Sequence, residues 1–247
     1  MGWVVDLDGV VWLADRPIVG ASDAIERLRS AGEAVVFVTN NSSVTIADQE
    51  KKLRRHGIDG DGAVITSAAA AASEVEPGEV ALVCAGEGVV EAMTARGVEV
   101  VADGKADVVV VGYHRDFDYE RMTVAATAVR DGARLLATND DATYPTPDGP
   151  IPGTGAILAG VVTASGARPT VAGKPHAPMV RCVRERLGAD GTVVGDRPDT
   201  DGRFATQLGY RFALVLSGVT RSEDLPVEPA PDLVGDDLAA VVAEATA

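Results

Sequence analysis

Short aliphatic runs alternate along this chain with segments of helical spacing, and this alternation limits the fold more than any other feature of the sequence. The runs at residues 3–5, 34–38 and 192–194 end in small or polar residues, and helical segments follow them. Strands that alternate with helices form parallel sheets, because each helix returns the chain to the edge where the next strand begins. We therefore predict an α/β fold whose core is a Rossmann-like parallel sheet flanked by helices.

The same pattern gives the expected bounds of the elements. Strands are predicted at 3–5, 34–38, 80–84, 98–101, 108–112, 134–137, 192–194 and 211–216. Helices are predicted at 22–31, 45–56, 68–72, 87–96, 119–131, 178–187 and 201–208. The uncharged stretch 149–167 is interrupted by prolines and glycines, so we expect a buried helix there and not a membrane span.

Two Pro/Gly-rich stretches, at 76–78 and 166–169, each precede a predicted strand and indicate domain boundaries. We predict a catalytic core domain built from residues 1–77 and 169–247. Residues 78–168 would form a second α/β domain inserted into that core. A chain of 247 residues is long enough for two modest domains with separate cores.

The formal net charge of −15 disfavours binding to nucleic acid or to an anionic membrane, because both need a basic face. The charge also repels phosphate esters at long range, so a site for them must be locally positive. Cys84 and Cys182 are the only cysteines and have no metal or redox spacing, and the amino terminus carries no secretory signal. We expect a cytoplasmic protein.

Polar residues stand directly after several predicted strands, at the edge of a parallel sheet where ligands bind. Two carboxylates follow the first strand, hydroxyl and amide donors follow the second, a lysine precedes a later helix, and more carboxylates follow the strand at 192–194. In chain order these residues are Asp6, Asp8, Thr39, Asn40, Lys174, Asp196 and Asp201.

Each motif alone has a simpler interpretation, since an Asp-x-Asp-Gly turn often only caps a helix and a lone lysine is usually a surface residue. Their joint placement at strand ends and a helix start favours one pocket. Several carboxylates in one pocket repel one another unless a hard divalent cation lies among them. We therefore predict Mg²⁺ with oxygen ligands, and donors after the second strand that suit phosphate oxygens.

The ordered motifs resemble those of the haloacid dehalogenase (HAD) superfamily, and specifically its NagD-like, p-nitrophenyl phosphatase-like subfamily IIA. They are Asp-x-Asp-Gly-Val at 6–10, Thr-Asn-Asn at 39–41, Gly-Lys-Pro at 173–175 and Gly-Asp-Arg-x-x-Thr-Asp at 195–201. Segments 137–141 and 152–157, with Phe117 and Tyr119, resemble that subfamily's cap domain. The resemblance covers essentially the whole chain and implies a Mg²⁺-dependent phosphatase with a C2-type α/β cap.

The resemblance also implies roles for the carboxylates. Asp6 would be the nucleophile that forms an aspartyl-phosphate. Asp8 would protonate the leaving oxygen and then take a proton from the attacking water. Mg²⁺ would be held by the Asp6 side chain, the Asp8 backbone carbonyl and Asp196. Asp201 would not bind the metal itself but would orient the metal ligands or the lysine.

The remaining motif residues are implied to bind substrate. Thr39 and Asn40 would hold the phosphate oxygens, and Lys174 would stabilise the charge that spreads over them in the transition state. In the cap segment, the candidates for substrate contact are Asn139, Asp141, Thr154 and His114.

Two residues near the last carboxylate depart from the family pattern. Pro198 stands where a larger apolar residue is expected, and Gly202 stands where isoleucine is usual. We expect the start of the last core helix to be altered. None of the histidines has a metal-ligand spacing, and His56 is interpreted as a helix-end residue.

A cap over the strand ends would restrict access, so small phosphorylated metabolites such as sugar phosphates, phosphoglycolate or nucleotides are the expected substrates. Two alternatives remain open from the sequence. One is a phosphotransferase or mutase that passes the phosphate to a second hydroxyl, and the other is a non-enzymatic phospho-acceptor module. Asp8 and the insert argue against the module. A homodimer is expected only by analogy with the family.

Overall fold

A computed structural model of the protein describes residues 2–144, 146 and 149–246. The chain divides into two compact units. The first unit comprises Met1–Thr39, Ala47–Ile65 and Lys174–Ala247, and the second comprises Asn40–Ile46 and Thr66–Gly173. The predicted insert, 78–168, falls within the second unit, which extends beyond it on both sides. The assignment of catalysis to one domain and specificity to the other stays a prediction.

The secondary structure alternates between strands and helices throughout. The strands are β1 (Gly2–Val5), β2 (Trp12–Leu13), β3 (Arg16–Pro17), β4 (Ala34–Thr39), β5 (Val64–Thr66), β6 (Val80–Cys84), β7 (Glu99–Val101), β8 (Val108–Val111), β9 (Arg134–Ala137), β10 (Thr143–Tyr144), β11 (Ile151–Pro152), β12 (Thr170–Val171), β13 (Gly191–Gly195), β14 (Arg211–Val215) and β15 (Leu233–Gly235). The helices are α1 (Ala21–Ser30), α2 (Ile46–Arg55), α3 (Ser67–Ala72), α4 (Glu87–Ala95), α5 (Tyr119–Arg130), α6 (Thr154–Ser165), α7 (Ala177–Leu187), α8 (Arg203–Leu208) and α9 (Leu238–Ala245).

The first unit is built on a six-stranded sheet with the order β15-β14-β13-β1-β4-β5. The pairs from β15 to β4 are all parallel. Strand β1 lies near the middle and is buried along its whole length, because its residues are apolar or Gly and helices cover the sheet. On α1 the buried residues Ala21, Ala24, Ile25 and Leu28 share one face of the helix.

The second unit has its own five-stranded parallel sheet with the order β12-β9-β8-β6-β7. Its central strand β8 consists of four buried valines. Alanines and aliphatic residues of α5 and α6, such as Ala125, Ile157 and Val161, complete this core. Small alanines allow helices to lie close to a sheet of β-branched residues, which agrees with the low aromatic content of 4%.

Every strand and helix predicted from the sequence is present, with bounds that shift by one or two residues. The helix expected in 149–167 is α6. Buried and exposed positions alternate along it with helical spacing, so it is buried on one face only and not throughout as expected. No helix among residues 2–144, 146 and 149–246 is long and apolar enough to cross a membrane.

The helix predicted at 201–208 begins two residues later than predicted. A π-helical turn, Pro198–Gly202, precedes α8, which begins at Arg203. A Cβ atom at Gly202 would lie 2.8 Å from Cγ of Pro229 and 2.9 Å from Cε1 of Phe212. A side chain at this position would force Pro229 or the Phe212 ring to shift, which favours glycine here.

Candidate active site

Two carboxylates meet at the carboxyl edge of the first unit's sheet because neighbouring parallel strands end there. Asp6 follows β1 and Asp196 follows β13, and the register pairs Val5 with Val194. The backbone N–H of Asp6 donates to the carbonyl oxygen of Val194 at 3.0 Å, which continues the ladder one residue further. Both side chains are buried.

Lys174 joins Asp6 to a third carboxylate. Its Nζ donates to Oδ1 of Asp6 at 2.6 Å and to Oδ1 of Asp201 at 2.7 Å. The lysine side chain is only 3% exposed, so a charge there must be compensated locally. Burial would lower the pKa of Lys174, but the two carboxylates outweigh burial and raise it, so the ammonium stays protonated.

Asp201 has both oxygens engaged. Oδ1 accepts from Lys174, and Oδ2 accepts from the backbone N–H of Arg197 at 3.1 Å. The side chain lies against Gly195, where an added Cβ would collide with the Asp201 carboxylate. This geometry agrees with a residue that orients the lysine.

Asp196 is fixed by the backbone of the loop after β14. Its Oδ2 accepts from the N–H of Val219 at 2.6 Å. Gly9 and Gly218 lie so close to this carboxylate that a Cβ on either would overlap it. Gly9 also has a φ of +90°, a conformation that glycine adopts without strain. Two glycine backbones thus enclose the carboxylate of Asp196.

The three carboxylates fit a divalent cation. One oxygen from each of Asp6, Asp196 and Asp201 lies within 4.8 Å of the others. Burial is the main cause that raises the pKa of Asp6 well above its ordinary value and the pKa of Asp196 to about 7, and the neighbouring carboxylates add to it. Three carboxylates opposite one ammonium leave two negative charges to compensate, and Mg²⁺ prefers such oxygen ligands.

Asp8 lies beside this cluster in sequence and is tied to a tryptophan. Its Oδ1 accepts from Nε1–H of Trp12 at 3.0 Å. Burial raises the pKa of Asp8, although the Lys52 ammonium and the Trp12 hydrogen bond act in the opposite direction. Because burial favours the protonated form of a carboxyl group, this environment suits a general acid.

The two predicted phosphate-binding residues stand at the end of β4. Thr39 is buried and closes the strand. Asn40 belongs to the second unit, where its carbonyl oxygen accepts from Oγ of Ser67 and from Nδ2 of Asn139, both at 2.7 Å. Nδ2 of Asn40 donates to Oδ2 of Asp141 at 3.0 Å. Contact of Thr39 and Asn40 with phosphate stays a prediction.

The remaining cap candidates lie within the second unit. Asn139 and Asp141 form the network around Asn40, and Thr154 is buried at the start of α6. His114 is also buried, with Nδ1 at 2.9 Å from the carbonyl oxygen of Gly112 and Nε2 at 3.9 Å from Sγ of Cys84. Both ring nitrogens of His114 therefore face protein atoms, and its contact with substrate stays a prediction.

Sequence reasoning missed residues that lie directly against the carboxylates. Trp12 hydrogen-bonds Asp8, and the segment after β14 supplies Val219 N–H to Asp196 and Oγ of Ser217 to the carbonyl oxygen of Gly9. The signal for this segment was present, because Ser-Gly-Val-Thr follows a strand end just as the other motifs do.

Comparisons with known proteins identify the family of the chain. Residues 3–99 match the family model described as haloacid dehalogenase-like hydrolase, and residues 171–241 match one described as HAD-hydrolase-like. The acid sugar phosphatase of Staphylococcus aureus is 34% identical over 236 residues, which covers 93% of this chain and 91% of that protein.

Two solved structures extend the likeness to the fold. The 4-nitrophenylphosphatase of Thermotoga maritima superposes with a TM-score of 0.91 at 31% identity, covering 98% of this chain and 96% of that one. The glycerol phosphate phosphatase of Mycobacterium tuberculosis, in complex with magnesium, gives 0.89 at 33% identity and covers 97% of this chain and 75% of that one.

The fold, the carboxylate cluster and these relatives together define the class of the protein, a phosphomonoester hydrolase that acts on small phosphate esters. The chain belongs to the haloacid dehalogenase superfamily, and within it to subfamily IIA.

Proposed function

We propose that the protein hydrolyses small phosphomonoesters of the sugar phosphate or polyol phosphate type through a phosphorylated Asp6. The observation that carries this proposal is the asymmetric environment of the Asp6 carboxylate. Oδ1 accepts from Lys174, whereas no hydrogen bond from the residues described reaches Oδ2. Oδ2 is therefore the oxygen with a lone pair available for attack on phosphorus.

In the first half of the reaction, Oδ2 of Asp6 forms a bond to phosphorus as the bond from phosphorus to the ester oxygen breaks. The leaving oxygen takes a proton from Asp8, so the alcohol departs neutral. Its raised pKa supports Asp8 as the proton donor, because burial favours the protonated carboxyl group over the carboxylate.

In the second half, water attacks the phosphorus of the aspartyl-phosphate and gives a proton to the Asp8 carboxylate. The bond between Asp6 and phosphorus breaks, which releases inorganic phosphate and restores the Asp6 carboxylate. Asp8 returns to its protonated form, so atoms and charges balance over the cycle.

Three groups are proposed to hold Mg²⁺: the Asp6 side chain, the Asp8 backbone carbonyl and Asp196. The bound ion supplies positive charge between the nucleophile and the phosphate. Asp196 supports this assignment because the residues described leave its Oδ1 without a hydrogen bond. Asp201, whose two oxygens are both engaged, is proposed to orient Lys174 instead.

Lys174, Thr39 and Asn40 are proposed to bind the phosphate oxygens. Lys174 is held by two carboxylates and so presents a fixed charge with little reorganisation, which is the condition for strong transition-state stabilisation. Thr39 is buried at a strand end, where its hydroxyl and the following N–H groups suit an anion.

The substrate class rests on the relatives. The similar proteins are named acid sugar phosphatase, 4-nitrophenylphosphatase and glycerol phosphate phosphatase. Phosphorylated polyols and sugars are therefore proposed before phosphoglycolate or nucleotides, which remain candidates for a metabolite screen.

The test is hydrolysis of p-nitrophenyl phosphate and glycerol phosphate by the wild type and Asp6→Asn, each with Mg²⁺ and with excess chelator. We expect wild-type activity only with Mg²⁺, and a loss of at least about a thousandfold in Asp6→Asn. Asp23→Asn changes an exposed carboxylate on α1 and serves as the matched control. Acid quenching followed by borohydride reduction would convert an aspartyl-phosphate at residue 6 to homoserine, which mass spectrometry locates.

The same assay separates the alternatives. A phosphotransferase would yield a phosphorylated sugar when an acceptor sugar is added, in place of inorganic phosphate. A phospho-acceptor module would accumulate stable phosphoprotein without turnover. Full activity of Asp6→Asn would overturn the proposed nucleophile.

A further inference from the structure

The hydrogen bond between Trp12 and Asp8 connects the proposed acid to a residue that the reaction itself does not require. Nε1 of Trp12 lies 3.0 Å from Oδ1 of Asp8. Within the part of the chain that the structure describes, this is the one hydrogen bond to the Asp8 carboxyl group. The indole is a donor only, so Oδ1 must be an acceptor in this pair.

Trp12 is itself held tightly in place. The residue is 1% exposed, and its carbonyl oxygen accepts from the N–H of Gly9 at 2.7 Å. Nζ of Lys52 lies 4.3 Å from the centroid of the indole ring, a cation–π contact. The same Nζ donates to the carbonyl oxygen of Ala14 at 2.7 Å, which ties helix α2 to the β2–β3 hairpin.

A second ring lies close to the indole. The imidazole of His56, directly after α2, has its centroid 5.7 Å from that of Trp12. Trp12 is thus surrounded by the end of α2 and by its own hairpin, and its N–H points at one oxygen of Asp8. An indole fixed on several sides has few other rotamers to adopt.

We propose that Trp12 is a positioning residue that orients the Asp8 carboxyl group, with Lys52 holding the indole. Oδ1 of Asp8 accepts the hydrogen bond from the Trp12 N–H, which assigns the transferable proton to Oδ2 of Asp8. This inference rests on the proposed role of Asp8 as the general acid. In this role the indole contacts the Asp8 side chain and acts on the reaction only through it.

Orientation of the acid has a consequence that depends on the leaving group. As the ester bond breaks, the oxygen of glycerol phosphate becomes a strongly basic alkoxide and needs the proton from Oδ2 of Asp8. Nitrophenolate is a weak base and leaves without a proton. Loss of the Trp12 N–H must therefore slow the cleavage of alkyl phosphates more than that of p-nitrophenyl phosphate.

The experiment compares kcat/KM of wild type and Trp12→Phe on glycerol phosphate and on p-nitrophenyl phosphate. This ratio reports the steps up to departure of the leaving group and excludes the later hydrolysis of the intermediate. We expect the kcat/KM of Trp12→Phe to fall at least about tenfold further on glycerol phosphate than on p-nitrophenyl phosphate, since a positioned general acid contributes about 10²- to 10⁴-fold to the rate. An equal loss on both substrates, or none, would overturn the proposal.

Trp3 offers a matched control. It is 2% exposed in β1, and its Nε1 is buried with no hydrogen-bond partner among the described residues. Trp3→Phe makes the same chemical change in the same sheet unit without removing a hydrogen bond. We expect Trp3→Phe to have the wild-type proportion between kcat/KM on glycerol phosphate and kcat/KM on p-nitrophenyl phosphate. A change in this proportion like that of Trp12→Phe would overturn the proposal.

Asp8→Asn separates failure of this inference from failure of the proposed function. If Asp8→Asn loses activity mainly on glycerol phosphate but Trp12→Phe does not, Asp8 is the acid and the role of Trp12 is wrong. If Asp8→Asn shows no dependence on the leaving group, the proposed acid is wrong, and the inference falls with it.

Lys52→Met keeps the test decisive if Trp12→Phe does not fold. The Lys52 side chain is 26% exposed, and its replacement keeps the indole N–H but removes the cation that holds the ring. A loss that is again greater on the alkyl ester supports the proposal. A uniform loss or no loss would count against it.

Discussion

Nζ of Lys174 lies 2.6 Å from Oδ1 of Asp6, although 168 positions of the chain separate the two residues. The contact is buried, and the second partner of the ammonium is Asp201. Lys174 has two functions here: it compensates carboxylate charge, and it leaves one oxygen of Asp6 available. The following predictions test this arrangement and its surroundings.

Replacement of Lys174 by methionine is expected to lower kcat/KM for p-nitrophenyl phosphate by about 10²- to 10³-fold, because one fixed positive group near the phosphate is lost. It also leaves buried carboxylates uncompensated, which destabilises the fold by about 3–5 kcal/mol. Urea unfolding without Mg²⁺ measures this effect. Lys51→Met, at an exposed position on α2, is the control. Unchanged stability of Lys174→Met would contradict the buried ion pair.

The Mg²⁺-free protein is expected to lose stability as the pH rises from about 4 to about 7. Burial raises the pKa of Asp6, and raises that of Asp196 to about 7, so the folded state holds protons that the unfolded state releases in this range. Raising the pH therefore disfavours the folded state. Mg²⁺ compensates the ionised carboxylates, so its effect on Tm should be larger at pH 8 than at pH 5.

Thermal unfolding with Mg²⁺ and with chelator at both pH values tests this linkage. Asp196→Asn removes one of the carboxyl groups with a raised pKa and should reduce the dependence of stability on pH. An equal Mg²⁺ effect at pH 5 and pH 8 in the wild type would mean that these carboxylates do not titrate in that window.

Gly218→Ala should weaken Mg²⁺ binding by about 10- to 100-fold, because the new methyl group would overlap the Asp196 carboxylate and displace it. Calorimetric titration with Mg²⁺ measures the affinity without reference to turnover. Gly160→Ala is the matched control, since a Cβ there meets only the flexible sulfur of Met122 at 3.1 Å. Wild-type affinity in Gly218→Ala would show that the loop can move aside.

Cys84 should react slowly with iodoacetamide in the native protein, and Cys182, which is half-buried, should react faster. Burial raises the pKa of Cys84 to about 11, so at pH 8 almost all of it is the unreactive thiol. Its rate should increase as the pH approaches 11. Mass spectrometry of peptides alkylated for a fixed time gives both rates, and equal labelling at pH 8 would contradict the burial of Cys84.

Much of the site could be predicted because parallel strands bring their carboxyl ends to one edge. A polar residue directly after an apolar run, such as Asp6 or Asp196, is visible in sequence, and the strand order then brings such residues together. The central strands could also be predicted, because runs such as β8 are uniformly apolar.

The elements and contacts that were not predicted depend on distant partners. Strands β5 and β15 have only three residues each, too few for a periodic pattern, and they exist because a neighbouring strand supplies hydrogen bonds. Trp12 resembled an ordinary core residue, because nothing in its local sequence shows that its N–H would meet a carboxylate. Val219 lies 23 positions from its partner Asp196, a distance at which local propensity carries no information.

The pairing of β1 with β13 also has a consequence for biosynthesis. Strand β1 leaves the ribosome first, but its neighbour β13 lies at Gly191–Gly195, after the whole second unit has been made. At about 5–20 residues per second, translation separates the two strands by roughly ten to forty seconds. During that interval one edge of β1 lacks its final partner, and Asp6 has neither Asp196 nor Asp201 beside it. The nascent protein therefore cannot assemble its carboxylate cluster until Asp201 has been synthesised.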